Sequence, residues 1–372
     1  MDRKTIILSG VNLFQGGTLK IMQDCIDALD GYANGQYRII ALVHNEKLYK
    51  PYESVEYLSF PLSRKSWLFR IYHEYVLFNR ISKKYKPDLW FSLHDCTPRV
   101  KAKSRVVYCH HAAPFYTGKR GWRELRMEPS FVIFSLMYKW FYKINLKKND
   151  YIVVQQEWMR QEFIRMADRR KVIVATPEFP SGEEETSEHT LDKTDREGFI
   201  FFYPSVPRVF KNFEVIGEAA GILQKRIPGK FKIFLTLDGS ENKYAKWIRE
   251  KYSDIEEISF IGLIDRKTVE EYYRKCDCVI FPSQLESWGL PLSEAKKHRK
   301  PIIAAELPYA LETIGCYNQA AFFNPKDALE LAALMDDFIF KKIEYKQLEK
   351  KEYESLFAPN WPRLFDILLK EI

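Results

Sequence analysis

The sequence lacks a hydrophobic run long enough to cross a bilayer. A spanning helix needs about 20 consecutive apolar residues, and the longest candidate, residues 131–141, is shorter and contains Lys139. The first ten residues are a polar start leading into a short strand, so we predict no secretory signal and a cytoplasmic location. The cysteines lack the paired spacing of a zinc site, which favours buried thiols in a reducing compartment; they are Cys25, Cys96, Cys109, Cys276, Cys278 and Cys316.

Two motifs of nucleotide-dependent enzymes are also absent. No Asp-x-Asp occurs, and such a pair commonly supplies oxygen ligands to a divalent ion that holds a diphosphate. We therefore expect no metal ion and no other cofactor. Gly16 and Gly17 lack the spacing of the dinucleotide-binding fingerprint, which argues against a dehydrogenase.

The length and the charge distribution limit the number of domains and the kinds of partner that the protein can have. A chain of 372 residues exceeds what one hydrophobic core usually serves, so two domains are expected. The net charge of +8 is concentrated in residues 1–180, whereas the rest of the chain is net acidic. A basic half suggests an anionic partner. Nucleic acid is not expected, because the charge is confined to one half and no known binding module is visible.

Both halves alternate short apolar strands with helical patterns, which predicts parallel, doubly wound sheets of an α/β protein. Residues 181–197 hold no apolar periodicity and many acidic side chains, so they are predicted to be a linker. The predicted domains are therefore residues 1–180 and 198–345. The chain after a strand predicted at Pro301–Ala305 is predicted to be largely helical, and the helices of residues 346–372 are predicted to pack back on the first domain.

The segment FPSQLESWGLPLSEA, residues 281–295, follows an apolar strand predicted at Cys278–Phe281. A helix can start near Pro291, so Glu286 and Glu294 lie on either side of a strand-to-helix turn. Free amides at the start of that helix can face an anionic or polyhydroxyl ligand. The alternative is a charged loop followed by a glutamate that suits the helix dipole.

Other candidate residues also follow predicted strands, where α/β folds place ligand sites. Arg208 and Lys211 follow the first strand of the second half and suit a diphosphate, since guanidinium offers a bidentate fork and lysine a point charge. In the first half, two strands end at histidines, His94 in one case and the adjacent His110 and His111 in the other. Either His110 or His111 can face a ligand.

Residues 281–295 resemble the donor-site motif of the retaining glycosyltransferases of family 4, in which two glutamates separated by seven residues bracket a Gly-Leu-Pro turn. The resemblance implies a GT-B fold, with two Rossmann-like domains facing a cleft. It also implies metal-independent, retaining transfer of a sugar from a nucleotide-sugar, expected to be a UDP- or GDP-sugar. The acceptor would be a glycan or a lipid-linked molecule.

The resemblance assigns roles to individual residues. It implies that Glu286 contacts hydroxyls of the donor sugar, and that Arg208 and Lys211 neutralise the departing diphosphate. His110 would lie close to the donor sugar. The other implied donor-binding residues contact the sugar, phosphates, ribose or base; they are Gly16, Gly17, Gly262, Leu263, Ser287, Gly289, Leu290 and Glu294.

Residues 119–148 mix aromatic and basic side chains, a composition that suits the anionic surface of a bilayer. They would then place the protein on the inner face of the membrane. The alternative is a core helix at residues 131–144 with a solvated basic end. Both can hold for different faces of one helix.

Two other functions fit the same architecture. A GT-B sugar-nucleotide epimerase would use a similar nucleotide site without an acceptor. A non-catalytic protein of this fold would bind a nucleotide or another anion without turnover.

Overall fold

The computed structural model describes residues 3–116, 118, 121–177, 198–349, 351–353 and 356–370. The chain divides into two compact units, each taking residues from separate parts of the sequence. The first comprises Met1–Phe115, Met137–Glu178 and Tyr353–Ile372, and the second Tyr116–Leu136 and Phe179–Glu352. The predicted linker, residues 181–197, lies outside the described residues.

The described residues contain fourteen strands. In chain order they are β1 (Lys4–Ser9), β2 (Tyr37–Val43), β3 (Val55–Ser59), β4 (Leu89–Ser92), β5 (Ser104–Cys109), β6 (Tyr151–Val154), β7 (Val172–Ala175), β8 (Phe199–Tyr203), β9 (Phe231–Leu235), β10 (Ile258–Phe260), β11 (Cys278–Phe281), β12 (Ile302–Ala305), β13 (Ala320–Phe323) and β14 (Phe357–Ala358).

The α-helices of the described residues lie between or after these strands. They are α1 (Gly16–Ala33), α2 (Trp67–Tyr72), α3 (Phe78–Tyr85), α4 (Trp122–Met127), α5 (Pro129–Lys143), α6 (Glu157–Ile164), α7 (Phe213–Arg226), α8 (Lys243–Lys251), α9 (Arg266–Lys275), α10 (Leu290–Lys297), α11 (Pro308–Ile314), α12 (Ala328–Ile339) and α13 (Trp361–Leu369). A π-helical turn, His73–Leu77, joins α2 to α3.

The first unit contains an eight-stranded sheet in the order β14-β7-β6-β5-β4-β1-β2-β3, and all its neighbouring strands are parallel. The central strand β1 reads KTIILS, and five of its six residues are buried. A nearly continuous aliphatic run is typical of a parallel strand covered on both faces. The chain reverses its direction of travel across the sheet between β1 and β4, so ligand sites are expected at their carboxyl ends.

The second unit contains a six-stranded parallel sheet in the order β10-β9-β8-β11-β12-β13. Counted along this unit, the order is 3-2-1-4-5-6, which is that of a doubly wound dinucleotide-binding sheet. Its central strand β11 is buried at every residue. The topological switch lies between β8 and β11, so the loops that follow these two strands leave the same edge of the sheet. The predicted fold class is confirmed.

The prediction that the chain after β12 is largely helical was partly wrong. Strand β13 lies in a region predicted as helical, because four apolar residues in a row fit a strand and a buried helix equally well. Residues 346–372 contain only one helix, α13, among the described residues, together with strand β14, which pairs with β7. The buried side chains of α13 lie in the same hydrophobic core as those of α1; they include Leu364, Phe365 and Leu368.

Residues 116–136 belong by their contacts to the second unit, although the sequence places them inside the predicted first domain. This segment contains α4 and the first half of α5. Helix α5 buries Phe131, Tyr138 and Tyr142, so the core-helix interpretation holds for one of its faces. No helix of the described residues is both long and apolar enough to cross a membrane.

Candidate functional site

The site of the second unit is built on the loops that follow β8 and β11. Lys211, at the end of the first loop, donates from Nζ to Oε1 of Glu286, in the second loop. Both side chains are only 15% exposed, so each charge is partnered chiefly by the other. The backbone N–H of Gln284 also donates to the carbonyl of Phe210 at 2.7 Å, which ties the two loops together.

Asn212 fixes the end of the first loop. Its φ is 58°, and α7 begins at the next residue. Rather than capping that helix, its Nδ2 donates to the carbonyl of Pro282 at 3.2 Å and to that of Pro325 at 2.8 Å. The position of Lys211 is therefore set by the neighbouring loop as well as by its own strand.

Gly289 makes the turn between Glu286 and α10. Its φ is +86°, and a Cβ at this position would lie 3.3 Å from Cδ1 of Leu292. Both the left-handed backbone and the close packing favour glycine here. Helix α10 then starts at Leu290, with Pro291 in its first turn. The backbone amides of Ser287, Gly289 and Leu290 thus belong to a turn of fixed shape.

Glu294 lies on α10, and its carboxylate is held by two side chains of α9. It accepts a hydrogen bond from the hydroxyl of Tyr273 at 2.9 Å and one from Arg266 at 2.5 Å. Burial and the neighbouring Glu294 raise the pKa of Tyr273 well above its ordinary value, so its hydroxyl remains a donor. Sequence reasoning missed both partners, because a pair across two helices leaves no local motif.

Gly262 and Leu263 follow β10, which is the outer strand on the β9 side of this sheet. The φ of Gly262 is +70°, and a Cβ there would lie 3.0 Å from Oδ2 of Asp238. The side chain of Leu263 is exposed. The structure therefore places Gly262 beside Asp238, and both residues follow a strand that lies two strands away from β8.

Arg208, in the loop after β8, forms an ion pair with Glu128. Its Nε donates to Oε1 of Glu128, and the backbone N–H of Val209 donates to Oε2 of the same carboxylate at 3.0 Å. Glu128 lies between α4 and α5, in the segment that the sequence assigned to the other domain. Sequence reasoning missed this residue entirely.

The candidate residues of the first unit lie at the carboxyl edge of its sheet. Gly16, with a φ of +60° and open space around its Cβ position, begins α1 after β1, and Gly17 follows in the first turn. His110 directly follows β5, and its Nε2 lies 3.3 Å from Oδ2 of Asp95. The described residues provide no hydrogen-bond partner for Nδ1 of His110.

Asp95 organises the two histidines after β5. Its Oδ1 accepts the backbone N–H of His110 at 2.7 Å and of His111 at 2.9 Å, and the hydroxyl of Tyr142 at 3.0 Å. Burial alone would raise the pKa of Asp95, but the two histidines and the two backbone donors hold it below the ordinary value. Asp95 is therefore a buried anion, and the sequence analysis did not single it out.

His111 and His94 differ from His110 in their surroundings. The ring of His111 packs against Tyr138 with a centroid distance of 5.6 Å. His94 is buried, with Nε2 at 3.6 Å from Oε1 of Glu74, and burial is the main reason why its pKa is lowered. His94 therefore has the surroundings of a structural core histidine.

The described residues contain no group of three or more His, Cys, Asp or Glu side chains arranged to hold a metal ion. The two cations near the β8 and β11 loops, Arg208 and Lys211, are each paired with a carboxylate.

The chain is similar to known proteins in part of its sequence and in its fold. Residues 183–355 match the family model for glycosyl transferases group 1. A glycosyltransferase from Rickettsia africae has a TM-score of 0.64 at 17% identity, with 92% of this chain and 89% of that chain covered. Anabaena HepE, solved in complex with UDP and glucose, has a TM-score of 0.60 at 16% identity, with 91% of each chain covered. The fold is GT-B.

Among curated proteins, the glycosyltransferase YqgM of Bacillus subtilis is 20% identical over 223 residues, which is 60% of each chain. The chain spans less than two thirds of the length of the curated relatives it matches. The matched family region contains Arg208, Lys211, Glu286 and Glu294 of this GT-B chain, whereas Glu128, Asp95 and His110 lie outside it.

Proposed function

We propose that the protein is a retaining glycosyltransferase of the family 4 type that moves a sugar from a nucleotide-sugar to an acceptor. The observation that carries the proposal is the Lys211–Glu286 pair at the topological switch of the second sheet. Ligands of doubly wound sheets bind at this point. The pair also lies within the residues that match glycosyl transferases group 1.

Each residue of this site has a chemical task in such a transfer. Lys211 and Arg208 would stabilise the charge that develops on the departing nucleoside diphosphate, and such electrostatic stabilisation usually contributes most to catalysis of this kind. Glu286 would accept hydrogen bonds from hydroxyls of the donor sugar. The turn at Ser287, Gly289 and Leu290 would offer backbone amides, and Glu294 would hold the ribose.

The transfer is proposed to proceed without a metal ion or another cofactor. A divalent ion would need a set of oxygen ligands, and the sequence contains no Asp-x-Asp. The basic pair and the amides at the start of α10 would take the place of that ion. The expected stereochemical outcome is retention, so an α-linked donor would yield an α-glycoside.

The proposed donor is a UDP-sugar, with a GDP-sugar as the alternative. The fold neighbour HepE is solved with UDP and with UDP-glucose, which supports the first choice. In the first unit, His110 is the proposed contact for the donor sugar, and Gly16 and Gly17 would allow its backbone close approach to a ligand.

The acceptor is proposed to be lipid-linked, because the first unit exposes an apolar surface. This surface is formed by α2 and the second half of α5, which meet where Trp67 packs on Phe141 at a centroid distance of 5.8 Å. Its most exposed members are Leu68 at 78% and Trp140 at 72%. The others are Trp67, Phe69, Ile71, Tyr72 and Met137, together with Ile144 just after α5.

Basic side chains border this apolar surface. Nζ of Lys143 lies 5.2 Å from the centroid of the Trp140 ring. Arg70 lies 5.1 Å from that of Trp67, but it is largely buried and pairs with Glu74. Rings beside cations suit the anionic interface of a bilayer. Peripheral binding to the cytoplasmic face is therefore part of the proposal. Of the basic residues predicted for this role, Arg123 pairs instead with Glu124 and Glu214, and Lys119 and Arg120 lie outside the described residues.

The function is tested by incubating the protein with UDP- and GDP-sugars, with and without an extract of lipid-linked acceptors. Mass spectrometry should detect a glycosylated acceptor, and NMR should show that the anomeric configuration is retained. A changed sugar-nucleotide in the absence of acceptor would identify an epimerase. Tight nucleotide binding without any product would identify a non-catalytic binding protein.

A further inference from the structure

The segment at residues 116–136 packs against the loops of the proposed donor site. Besides Glu128, Tyr116 reaches this region and donates its hydroxyl to Oε1 of Gln284 at 3.0 Å. Arg123 pairs with Glu214 of α7 at 2.9 Å. The donor unit is therefore completed by residues that lie upstream of the region matching the family model.

Glu128 makes two contacts that together fix Arg208. One carboxylate oxygen accepts from the guanidinium Nε and the other from the backbone N–H of Val209. The guanidinium carbon also lies 5.8 Å from the ring centroid of Phe131 and 5.6 Å from that of Phe210. These two rings are in contact, with a centroid distance of 4.9 Å. Both the side chain and the backbone of this loop are thus held by one short segment.

Nε and the two terminal nitrogens of the Arg208 guanidinium are in different surroundings. The Nε end faces Glu128, whose side chain is only 15% exposed, whereas the Arg208 side chain as a whole is 41% exposed. Among the described residues, no acceptor is bonded to its terminal nitrogens. A guanidinium held through Nε keeps its outer N–H groups available for a phosphate.

We propose that Glu128 is a positioning residue for the nucleoside diphosphate, acting through Arg208. This proposal rests on the proposed function, in which Arg208 binds the diphosphate. By holding Nε and the loop backbone, Glu128 keeps the guanidinium in one orientation before the ligand arrives. Binding then costs less side-chain entropy than it would with a freely rotating arginine.

The test measures the affinity of UDP and of GDP by calorimetry for the wild type, Glu128→Gln, Arg208→Ala and the double variant. Glu128→Gln keeps the shape of the side chain but removes its charge, and we expect diphosphate affinity to fall about 3- to 10-fold. The affinities of uridine and guanosine should not change. If Glu128 acts through Arg208, the double variant should bind no more weakly than Arg208→Ala alone.

The matched control is Glu124→Gln in the same segment, since Glu124 bonds to Arg123 and to the backbone N–H of Gly121 rather than to the Arg208 loop. This control should leave diphosphate affinity unchanged. Thermal melts identify a variant that fails to fold.

Three results would overturn the inference. Tighter diphosphate binding by Glu128→Gln would mean that the carboxylate competes with the ligand. Unchanged binding, or additive losses in the double variant, would mean that Glu128 does not act through Arg208. A wild type that binds neither UDP nor GDP would instead contradict the proposed function itself, so the two failures are distinguishable.

Discussion

Lys211 and Glu286 form an ion pair although they lie 75 positions apart in the chain. The strands that precede their loops, β8 and β11, are neighbours in a parallel sheet. Because parallel strands end at the same edge, the pairing of these strands brings the two loops together. Both side chains are largely buried, so removing either one leaves an opposite charge with little water around it.

The first prediction concerns the proposed contact between Glu286 and the donor sugar. Glu286→Gln should lower turnover about 100-fold, the loss typical of removing one positioned catalytic contact. The melting temperature should also fall, because Lys211 is left as a largely buried charge without its partner, so turnover is measured well below the melting transition of the variant. The control is Glu306→Gln, which removes a more exposed ion pair with Lys346. Near-normal turnover of folded Glu286→Gln would exclude Glu286 from the site.

The second prediction concerns metal ions. Transfer should continue at an unchanged rate after treatment with excess EDTA, because Arg208, Lys211 and the amides before α10 are proposed to hold the diphosphate. Product formation is followed by mass spectrometry before and after chelation. Activity that disappears with EDTA and returns with Mg²⁺ or Mn²⁺ would contradict the metal-independent mechanism.

The third prediction concerns the buried anion Asp95. Its folded-state pKa is lowered below the ordinary value of 3.8, so its stabilising effect is complete above that pH and is lost as the pH falls through the folded-state pKa. Asp95→Asn should therefore destabilise the protein at pH 7 by about 1–3 kcal/mol. The difference in melting temperature from the wild type should shrink below about pH 4. Asp24→Asn, which removes an exposed pair with Lys20, is the control. If Asp95→Asn lowered the melting temperature equally at pH 7 and at pH 3, this account would be contradicted.

The fourth prediction concerns the apolar surface of α2 and α5. Leu68→Ser and Trp140→Ser should each weaken binding to liposomes that contain anionic lipid, because each removes exposed apolar area at the interface. Sedimentation with liposomes measures the bound fraction. Leu329→Ser replaces another leucine that is exposed, on α12 of the second unit, and should leave binding unchanged. A wild type that ignores anionic liposomes at low salt would favour a soluble acceptor.

The sequence predicted those parts of the structure that depend on local patterns. Strands β8 and β11 are short apolar runs, and Arg208, Lys211 and Glu286 lie in the loops that follow them. The resemblance to family 4 assigned these residues to one donor site, but the pairing of β8 with β11 that brings their loops together was not predicted. Gly289 was also predictable, because a turn before a helix with proline in its first turn favours glycine.

Contacts between distant segments were not predictable in this way. Glu128 lies 80 positions before Arg208 and carries no motif of its own. Asp95 follows His94 directly and was not singled out, because it belongs to no motif of its own. Its importance arises from burial and from the His110 and His111 amides, which only the pairing of β4 with β5 brings near. The strand β13 was missed because its short apolar run has no distinguishing periodicity.

The central claim is that the loops after β8 and β11 bind a nucleoside diphosphate through Lys211 beside Glu286. Calorimetric titration of UDP and GDP into the wild type and Lys211→Ala tests it most directly, with Lys346→Ala as a control from another lysine–glutamate pair. We predict that the wild type binds at least one diphosphate more tightly than its nucleoside. Lys211→Ala should lose much of that difference, because only Arg208 of the basic pair remains, and Lys346→Ala should keep it. Equal diphosphate affinity in all three folded proteins, or none in the wild type, would contradict the account.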